Sequence, residues 1–195
     1  SVPDEVMSKY YGCGSPVPMG IQGLSVLDLG SGSGRDSYVA ANLVGSDGSV
    51  KGIDMTGEQV AVARAHTDTY CTEALGYDKP NMSFVTGFIE DLPAAGVANN
   101  SVDLVISNCV INLSPDKPAV LRGVWDALRD GGELHFSDVY CDRRLPQHVQ
   151  DHETLWGECV SGALYIEDFK RICSDVGFSD PRVLETSAIS ITDPE

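Results

Sequence analysis

The sequence has few basic residues, no long apolar run and no visible leader peptide. Its 13 lysines and arginines are set against 29 aspartates and glutamates, which gives a net charge of −16. Because an acidic surface repels phosphate backbones, DNA and RNA are disfavoured as substrates. No apolar stretch is long enough to cross a bilayer, and no basic segment followed by an apolar one opens the chain. We therefore predict a cytoplasmic protein with a small-molecule ligand and with neither a nucleic-acid nor a membrane partner.

Cysteine pairs spaced as C-x-x-C are also missing from the sequence. The six cysteines are separated from one another along the chain: Cys13, Cys71, Cys109, Cys141, Cys159 and Cys173. A structural zinc site of the common spacing is therefore disfavoured. Because thiols stay reduced in the cytosol, a disulfide framework is not expected either. The cysteines need another explanation.

A glycine loop follows the first predicted strand, but it lacks the third glycine of a dinucleotide-binding loop. The run from Val26 to Asp36 reads VLDLGSGSGRD. A G-x-G-x-x-G loop counted from Gly30 would need a glycine where Arg35 stands. The loop is instead G-x-G-x-G, with Asp28 two residues before the first glycine. The N–H groups that open the next helix suit a bound anion, but the glycine spacing argues against NAD.

Strand-like and helix-like segments alternate along the chain. The predicted strands are Val26–Leu29, Val50–Met55, Met82–Thr86, Val102–Ser107, Glu133–Val139 and Pro181–Ile191, and the predicted helices are 36–43, Glu58–Ala74, Pro115–Arg129 and Ile166–Val176. This alternation predicts an α/β, Rossmann-like fold, with a mostly parallel sheet and helices on both of its faces. Ligands bind such sheets outside the carboxyl ends of the strands.

Four features at those strand ends form an ordered set. They are the glycine loop, Asp54 at the end of the second strand, the turn Gly87–Pro93, and Asn108 at the end of the fourth strand. A carboxylate at Asp54 can accept both hydrogen bonds of a ribose diol, although NAD-binding proteins carry an acid there too. Taken together, the set resembles the motifs of the class I S-adenosylmethionine (SAM) methyltransferases.

The resemblance implies which residues would bind SAM. The glycine loop would hold the methionine carboxylate, Asp54 the ribose, and Asn108 would flank the methionine. Ile89 would pack against adenine, and Glu90 would lie near its amino group. The implied cofactor-binding set is Asp28, Gly30, Ser31, Gly32, Gly34, Asp54, Met55, Gly87, Phe88, Ile89, Glu90 and Asn108. This fold usually closes with a seventh, antiparallel strand, which we expect beyond residue 195.

Three cysteines lie in predicted loops rather than within apolar strands. Cys13 lies in YYGCGSP, Cys109 in SNCVINL and Cys159 in GECVSGALY. Three thiolates that converge near a methyl donor indicate a soft, thiophilic substrate. These segments resemble the three cysteine motifs of the arsenite methyltransferases, the arsenic(III) SAM methyltransferases. The resemblance implies that Cys13, Cys109 and Cys159 are catalytic residues that bind arsenic(III).

The same resemblance implies an activity and a division of the chain. Methyl groups would pass from SAM to trivalent arsenic held by cysteine thiolates, in arsenic detoxification, with a thiol reductant such as glutathione or thioredoxin as co-substrate. Residues 1–24 would form a cap over the active site and residues 25–140 the SAM-binding core. Residues 141–195 would form an arsenic-site insert with the last helix and strand. We expect a monomer, with the family's further upstream cysteine and cysteine-rich C-terminal region outside these 195 residues.

Other interpretations stay open at this point. The chain could methylate a small organic acceptor such as a quinone or sterol, or bind arsenic without catalysis; a dehydrogenase is a more distant alternative. The remaining cysteines have simpler interpretations. Cys173 shares an apolar helical stripe with Phe169 and Ile172 and is predicted to be a core residue. Cys71 and Cys141 are predicted to be incidental thiols.

Overall fold

Five parallel strands form the central sheet. The computed structural model describes residues 1–9, 12, 14–152, 159–179 and 181–189. The strands lie in the order β3-β2-β1-β4-β5, and their bounds are β1 Ser25–Leu29, β2 Ser49–Asp54, β3 Met82–Thr86, β4 Val102–Asn108 and β5 Leu128–Ser137. The chain leaves β1 toward β2 on one side and reaches β4 on the other. This reversal of strand order opens a crevice outside the carboxyl ends of β1 and β4, where ligands of such folds bind.

Helices connect the strands and cover both faces of the sheet. The described helices are α1 Asp4–Ser8, α2 Arg35–Val44, α3 Gly57–Ala65, α4 Thr67–Thr69, α5 Lys117–Ala127, α6 Gln147–Gln150 and α7 Ile166–Val176, with a π turn at Tyr70–Ala74 and a 3-10 turn at Ile111–Leu113. Helix α5 begins at Lys117 rather than at the predicted Pro115, because the Asp116 side chain caps it by accepting a hydrogen bond from the N–H of Ala119 at 2.9 Å. None of the helices in the described ranges is long and apolar enough to span a bilayer.

The core has one apolar layer on each side of the sheet. Val26 packs with Tyr38 and Phe84 on one face, whereas Leu27 packs with Ile53 and Val105 on the other. Successive strand residues point to opposite faces, so a strand covered on both sides is apolar throughout. The Rossmann-like fold expected from the sequence is therefore confirmed.

The structure differs from the sequence predictions at two elements. The helix predicted over Glu58–Ala74 is interrupted, because α3 ends at Ala65 and a π turn follows α4. The strand predicted at Pro181–Ile191 is wrong over 181–189, where the chain forms neither helix nor strand. Val183, Leu184 and Ile189 are exposed there. A strand needs a neighbour to pair with, and this segment pairs with none of the described strands.

Two short segments pack against the carboxyl end of the sheet. Helix α1 buries Val6 completely in the core, and its Val6 carbonyl accepts a hydrogen bond from the Ser33 hydroxyl at 2.9 Å. Strands β6 Tyr140–Cys141 and β7 Leu164–Tyr165 form a small second sheet within the predicted insert. Both segments therefore lie on the side where the glycine loop and the cysteine loops end. The proposed division at residues 24 and 140 stays a prediction.

Candidate functional site

The glycine loop adopts a backbone that its glycines make possible. Gly30, Gly32 and Gly34 have φ angles of 63°, 53° and 96°, in the left-handed region that side chains disfavour. A Cβ atom on Gly30 would collide with the Val110 side chain, so the loop lies against the residue that follows Cys109. Helix α2 begins directly after Gly34 without a side-chain cap. Its first N–H groups therefore suit an anion such as a carboxylate.

Asp54 ends β2 beside the glycine loop, as the sequence predicts. Its Oδ2 atom accepts a hydrogen bond from the N–H of Gly32 at 2.8 Å, and its Oδ1 atom accepts one from the N–H of Thr56 at 2.8 Å. These two bonds fix the carboxylate plane. Each carboxylate oxygen has two lone pairs, so both can still accept a hydroxyl of a ribose diol.

Two exposed apolar side chains follow the strand ends where the sequence predicts adenine to bind. Met55 and Phe88 are 67% and 63% exposed, and they follow the paired ends of β2 and β3. Ile89 is instead buried with Ile53 in the core. The Glu90 carboxylate accepts a hydrogen bond from the Ser114 hydroxyl. Exposed apolar side chains of this size at a strand end mark a surface for an apolar ligand.

Gly87 lies in the turn after β3, next to the end of β2. Its N–H donates to the Asp54 carbonyl at 3.0 Å, and a Cβ at this position would lie 2.8 Å from the Ala95 side chain. Glycine is therefore required by the close approach of the turn after β3. This contact places the turn next to the end of β2.

Asn108 joins three segments at the end of β4. Its Nδ2 donates to the Asp36 carboxylate at 2.8 Å and to the Gly14 carbonyl at 2.9 Å. Asp36 is 5% exposed and pairs with Arg35. Asp36 was not predicted from the sequence to be a site residue, although its place two residues after Gly34 could have indicated that it lies at the crevice. The asparagine thus ties the N-terminal segment to the first turn of α2.

Asp28 lies beneath the glycine loop rather than on the surface of the crevice. It is 2% exposed, and its Oδ2 atom accepts a hydrogen bond from the Ser37 hydroxyl at 2.6 Å. Burial, together with the nearby Asp36 and Asp54 carboxylates, raises the pKa of Asp28 to about 8 against the opposing hydrogen bond from Ser37. Asp28 therefore connects β1 to α2 and carries a proton over much of the neutral range.

These residues fit SAM in charge and shape. The loop offers N–H groups to a carboxylate, Asp54 offers oxygens to a diol, and Met55 and Phe88 offer apolar surface to a purine. The hydroxyls of Ser31 and Ser107 are buried without a hydrogen-bond partner in the described part of the chain. Buried hydroxyls at a strand end are available to a polar ligand.

Cys109 and Cys159 meet at the other side of the crevice. The Cys159 Sγ atom donates to the Cys109 carbonyl at 3.1 Å, although 50 residues separate them in the sequence. Both have positive φ angles, 54° for Cys109 and 62° for Cys159. Among the non-glycine residues that the structure describes, Asn100 alone shares this feature. Strained backbone of this kind concentrates at functional sites.

The two sulfur atoms differ in chemical state. Cys109 is disulfide-bonded, whereas Cys159 is a free thiol that is 8% exposed. Burial raises the pKa of Cys159 to about 11, and the negative charge of Asp138 adds to the shift. The Cys159 sulfur is therefore a protonated thiol at neutral pH. Cys13 lies outside the described residues.

A half-buried carboxylate, Asp138, lies close enough to Cys159 to act on its thiol. Burial raises the pKa of Asp138 to about 6, against the hydrogen bonds from Val139 and Asn112 and the charge of Lys117. Asn112 is 1% exposed and donates to Asp138 through both its backbone N–H and its side-chain amide. Neither Asn112 nor Asp138 was predicted from the sequence to be a site residue.

The other three cysteines belong to the core or to the small second sheet. Cys173 is a core residue beside Phe169 and Leu121, as the sequence predicts. Cys71 is fully buried in the core, so it is a packing residue. Cys141 is a half-buried free thiol. No cluster of three or more metal-ligating side chains occurs within the ranges that the structure describes.

Comparison with known proteins agrees with this geometry. Residues 22–177 match the family model described as a methyltransferase domain. The chain is 56% identical over 189 residues to the arsenite methyltransferase of Aquipseudomonas alcaligenes, covering 97% of this chain and 54% of that protein. It is 49% identical over 195 residues to the arsenite methyltransferase of Rattus norvegicus, covering 100% of this chain and 53% of that protein. The chain thus spans about half the length of these curated relatives.

A solved structure resembles this one closely. It is the arsenic(III) S-adenosylmethionine methyltransferase of Chlamydomonas reinhardtii, with a TM-score of 0.95 and 60% sequence identity over 99% of this chain and 64% of that one. The match to the family model covers the glycine loop, Asp54, Asn108 and both described cysteine loops. This chain belongs to the methyltransferase domain family.

Proposed function

We propose that this protein transfers methyl groups from SAM to trivalent arsenic bound by Cys13, Cys109 and Cys159. The observation that carries the proposal is the contact of Cys159 Sγ with the Cys109 carbonyl at the carboxyl end of the sheet. It unites two of the three cysteines beside the strand ends that carry the glycine loop. The arsenite methyltransferases similar to this chain support the choice of substrate.

Each cysteine would bind arsenic by exchange with a hydroxyl group. The thiol proton leaves with an arsenite hydroxyl as water, and an As–S bond replaces the As–O bond. This exchange is consistent with the protonated state of Cys159, because no separate base has to hold the proton. Arsenic bound by sulfur ligands in a pyramid keeps its lone pair on the open side.

SAM supplies an electrophilic methyl group attached to a cationic sulfur. The residues of this chain hold and orient the reactants: Asp54 for the ribose, the glycine loop for the carboxylate, and the cysteines for the arsenic. The As–C bond forms from the arsenic lone pair as the C–S bond breaks. Positioning in a dry crevice would supply most of the rate enhancement.

A thiol reductant has two roles in this scheme. Methyl transfer to the lone pair oxidises arsenic to a pentavalent product, and two electrons return it to the trivalent state. The disulfide at Cys109 must also be reduced before its sulfur binds arsenic. Glutathione or thioredoxin would meet both needs. We propose a cytoplasmic monomer, with no nucleic-acid or membrane partner.

Methyl transfer can be tested directly with the reduced chain. We expect arsenite and SAM to give methylated arsenic, measured by mass spectrometry, and Cys159→Ser to lower the rate by at least about 100-fold because an arsenic ligand is lost. Cys141→Ser, which replaces a half-buried free thiol of the small second sheet, is the matched control. Equal rates for the parent and Cys159→Ser would contradict the proposal. Methylation of a quinone or sterol without arsenic would favour the alternative function.

A further inference from the structure

Asn112 lies where three segments meet: the loop that begins at Cys109, the turn that begins at Cys159, and residues 137–139 at the end of β5. It belongs to the Cys109 loop, which we define as residues 109–114, and its carbonyl faces the Cys159 turn, residues 159–163. A Cβ atom at Gly162 would collide with the Asn112 carbonyl oxygen. The backbone of the Cys159 turn therefore presses directly on Asn112. The position of this turn depends on the position of the asparagine.

The Asn112 side chain is fixed to the segment after β5 by several hydrogen bonds. Its Nδ2 donates to Asp138 Oδ1 at 2.8 Å and to the Val139 carbonyl at 2.5 Å. Its backbone N–H donates to Asp138 Oδ2 at 3.1 Å. The N–H of Cys109 donates to the Ser137 carbonyl at 2.8 Å. The Cys109 loop is thus joined to residues 137–139 at its first residue and at Asn112.

The hydrogen bonds between Asn112 and residue 138 require a carboxylate at residue 138. Both Asp138 oxygens accept from N–H groups, since Oδ1 also accepts from the Val139 N–H at 2.9 Å. An amide at this position would direct its NH₂ group at an N–H donor in either orientation. Partial removal of a carboxylate from water opposes folding, and apolar packing can join two segments without that penalty. A half-buried carboxylate beside the cysteines therefore indicates a requirement of the site.

We propose that Asn112 and Asp138 are positioning residues for the arsenic site. They hold the Cys109 loop and the Cys159 turn at the separation that lets both sulfur atoms bind one arsenic atom. This inference rests on the proposed function. Neither residue touches arsenic or SAM in this account; they act through the two cysteines. A small displacement of either loop would lose the advantage of binding arsenic through two sulfur atoms at once.

A matched control exists at the opposite end of the sheet. Asn81 donates two hydrogen bonds from Nδ2 to the carbonyls of Ala41 and Gly45, at 2.8 and 2.9 Å. It precedes β3 and lies away from the crevice. Asn81 also accepts a hydrogen bond from the Cys71 thiol at 3.4 Å, but Cys71 is a core residue. Asn81→Ala therefore removes the same kind of side-chain hydrogen bonds as Asn112→Ala without a connection to Cys109 or Cys159.

The test is a double-mutant cycle on the chain reduced with a phosphine. Arsenite binding is measured by equilibrium dialysis for the parent, Asn112→Ala, Cys159→Ser and the double variant, with SAM affinity measured by calorimetry. We expect Asn112→Ala to weaken arsenite binding by about tenfold or more, and to have no further effect once Cys159 is absent. SAM affinity should not change, and Asn81→Ala should bind arsenite like the parent.

Each result has a distinct meaning. If Asn112→Ala binds arsenite like the parent, or weakens binding by the same factor with and without Cys159, the positioning role is wrong. If Asn112→Ala does not fold, Asp138→Asn replaces it in the same cycle. If Cys159→Ser itself binds arsenite like the parent, the proposed function fails instead.

Discussion

The two sides of the crevice use strained backbone differently. We call the region of the glycine loop and Asp54 the donor side. Its positive φ angles occur at Gly30, Gly32 and Gly34, where they cost little. On the cysteine side, positive φ angles occur at Cys109 and Cys159, which carry side chains, and each costs of order 1–3 kcal/mol. The donor side binds through its backbone, so glycine serves there. The cysteine side needs its sulfur atoms, so the strain has to be tolerated and held by neighbouring contacts.

The electrostatics of the two sides differ as well. Asp54 is held by backbone N–H groups at its open strand end, which keeps its oxygens available to a ligand. Asp138 is half-buried, and it accepts hydrogen bonds from Asn112 and Val139. One carboxylate therefore has oxygens open to a ligand, whereas the other holds protein segments together. Residue type alone does not distinguish these roles.

We expect the greatest loss of stability and of SAM binding from a substitution at Gly30, where the glycine loop contacts Val110 of the Cys109 loop. Gly30→Ala would place a methyl group against Val110 at a φ angle of 63°. We expect the free energy of unfolding to fall by about 2–4 kcal/mol and SAM binding to become undetectable. Urea denaturation and calorimetry measure the two quantities.

Gly20→Ala is the control for backbone strain without a collision. Gly20 has a φ angle of 79°, and no atom lies within 4 Å of an added Cβ. We expect this variant to lose about 1–2 kcal/mol and to bind SAM normally. Equal losses of stability in the two variants would show that the contact between the loop and Val110 contributes nothing.

Asp54→Ala isolates the donor side. It removes the acceptor for the Gly32 N–H and for a ribose diol, so we expect the Kd for SAM to rise by about 30-fold to 100-fold. Arsenite binding to the reduced protein should stay the same. Asp47→Ala, in the exposed turn before β2, should leave both affinities unchanged. A parallel loss of arsenite affinity in Asp54→Ala would mean that the two sides are not independent.

The pH dependence of stability tests the buried carboxylate beneath the glycine loop. The pKa of Asp28 is raised from 3.8 to about 8, so the folded state binds the proton more tightly than the unfolded state. The stabilisation from this proton is complete below about pH 4 and is lost as the pH rises through about 8. Asp28→Asn should therefore gain stability relative to the parent between about pH 5 and about pH 8. Urea denaturation at several pH values would reject this account if the difference were constant.

The smallest expected effect concerns the link from the donor side to the Cys109 loop. Ser114→Ala removes the hydrogen bond to the Glu90 carboxylate. We expect SAM affinity to fall by about threefold, because one hydrogen bond that orients Glu90 is lost. Calorimetry at fixed salt measures the change. An unchanged Kd would show that the orientation of Glu90 does not matter for SAM.

The places of the glycine loop and of Asp54 could be predicted from the sequence because they are built from local motifs. The glycine spacing and Asp54 lie within one β-α-β unit, so their geometry follows from short segments. Asn112 and Asp138 are 26 residues apart and meet only through the pairing of β4 with β5. The contact between Cys109 and Cys159 spans 50 residues, and a resemblance between motifs, not their spacing, indicated it. The strand predicted at Pro181–Ile191 is wrong over 181–189, because an apolar sequence pattern does not show whether a strand has a neighbour to pair with.

The proposed function requires the cysteines of the two strained loops to bind the same arsenic atom. X-ray absorption at the arsenic edge, on the reduced chain with one equivalent of arsenite, tests it directly. We expect a first shell of three sulfur atoms that falls to two sulfur atoms and one oxygen in Cys159→Ser. An arsenic atom surrounded by oxygen, or a sulfur shell that is unchanged in Cys159→Ser, would contradict the claim.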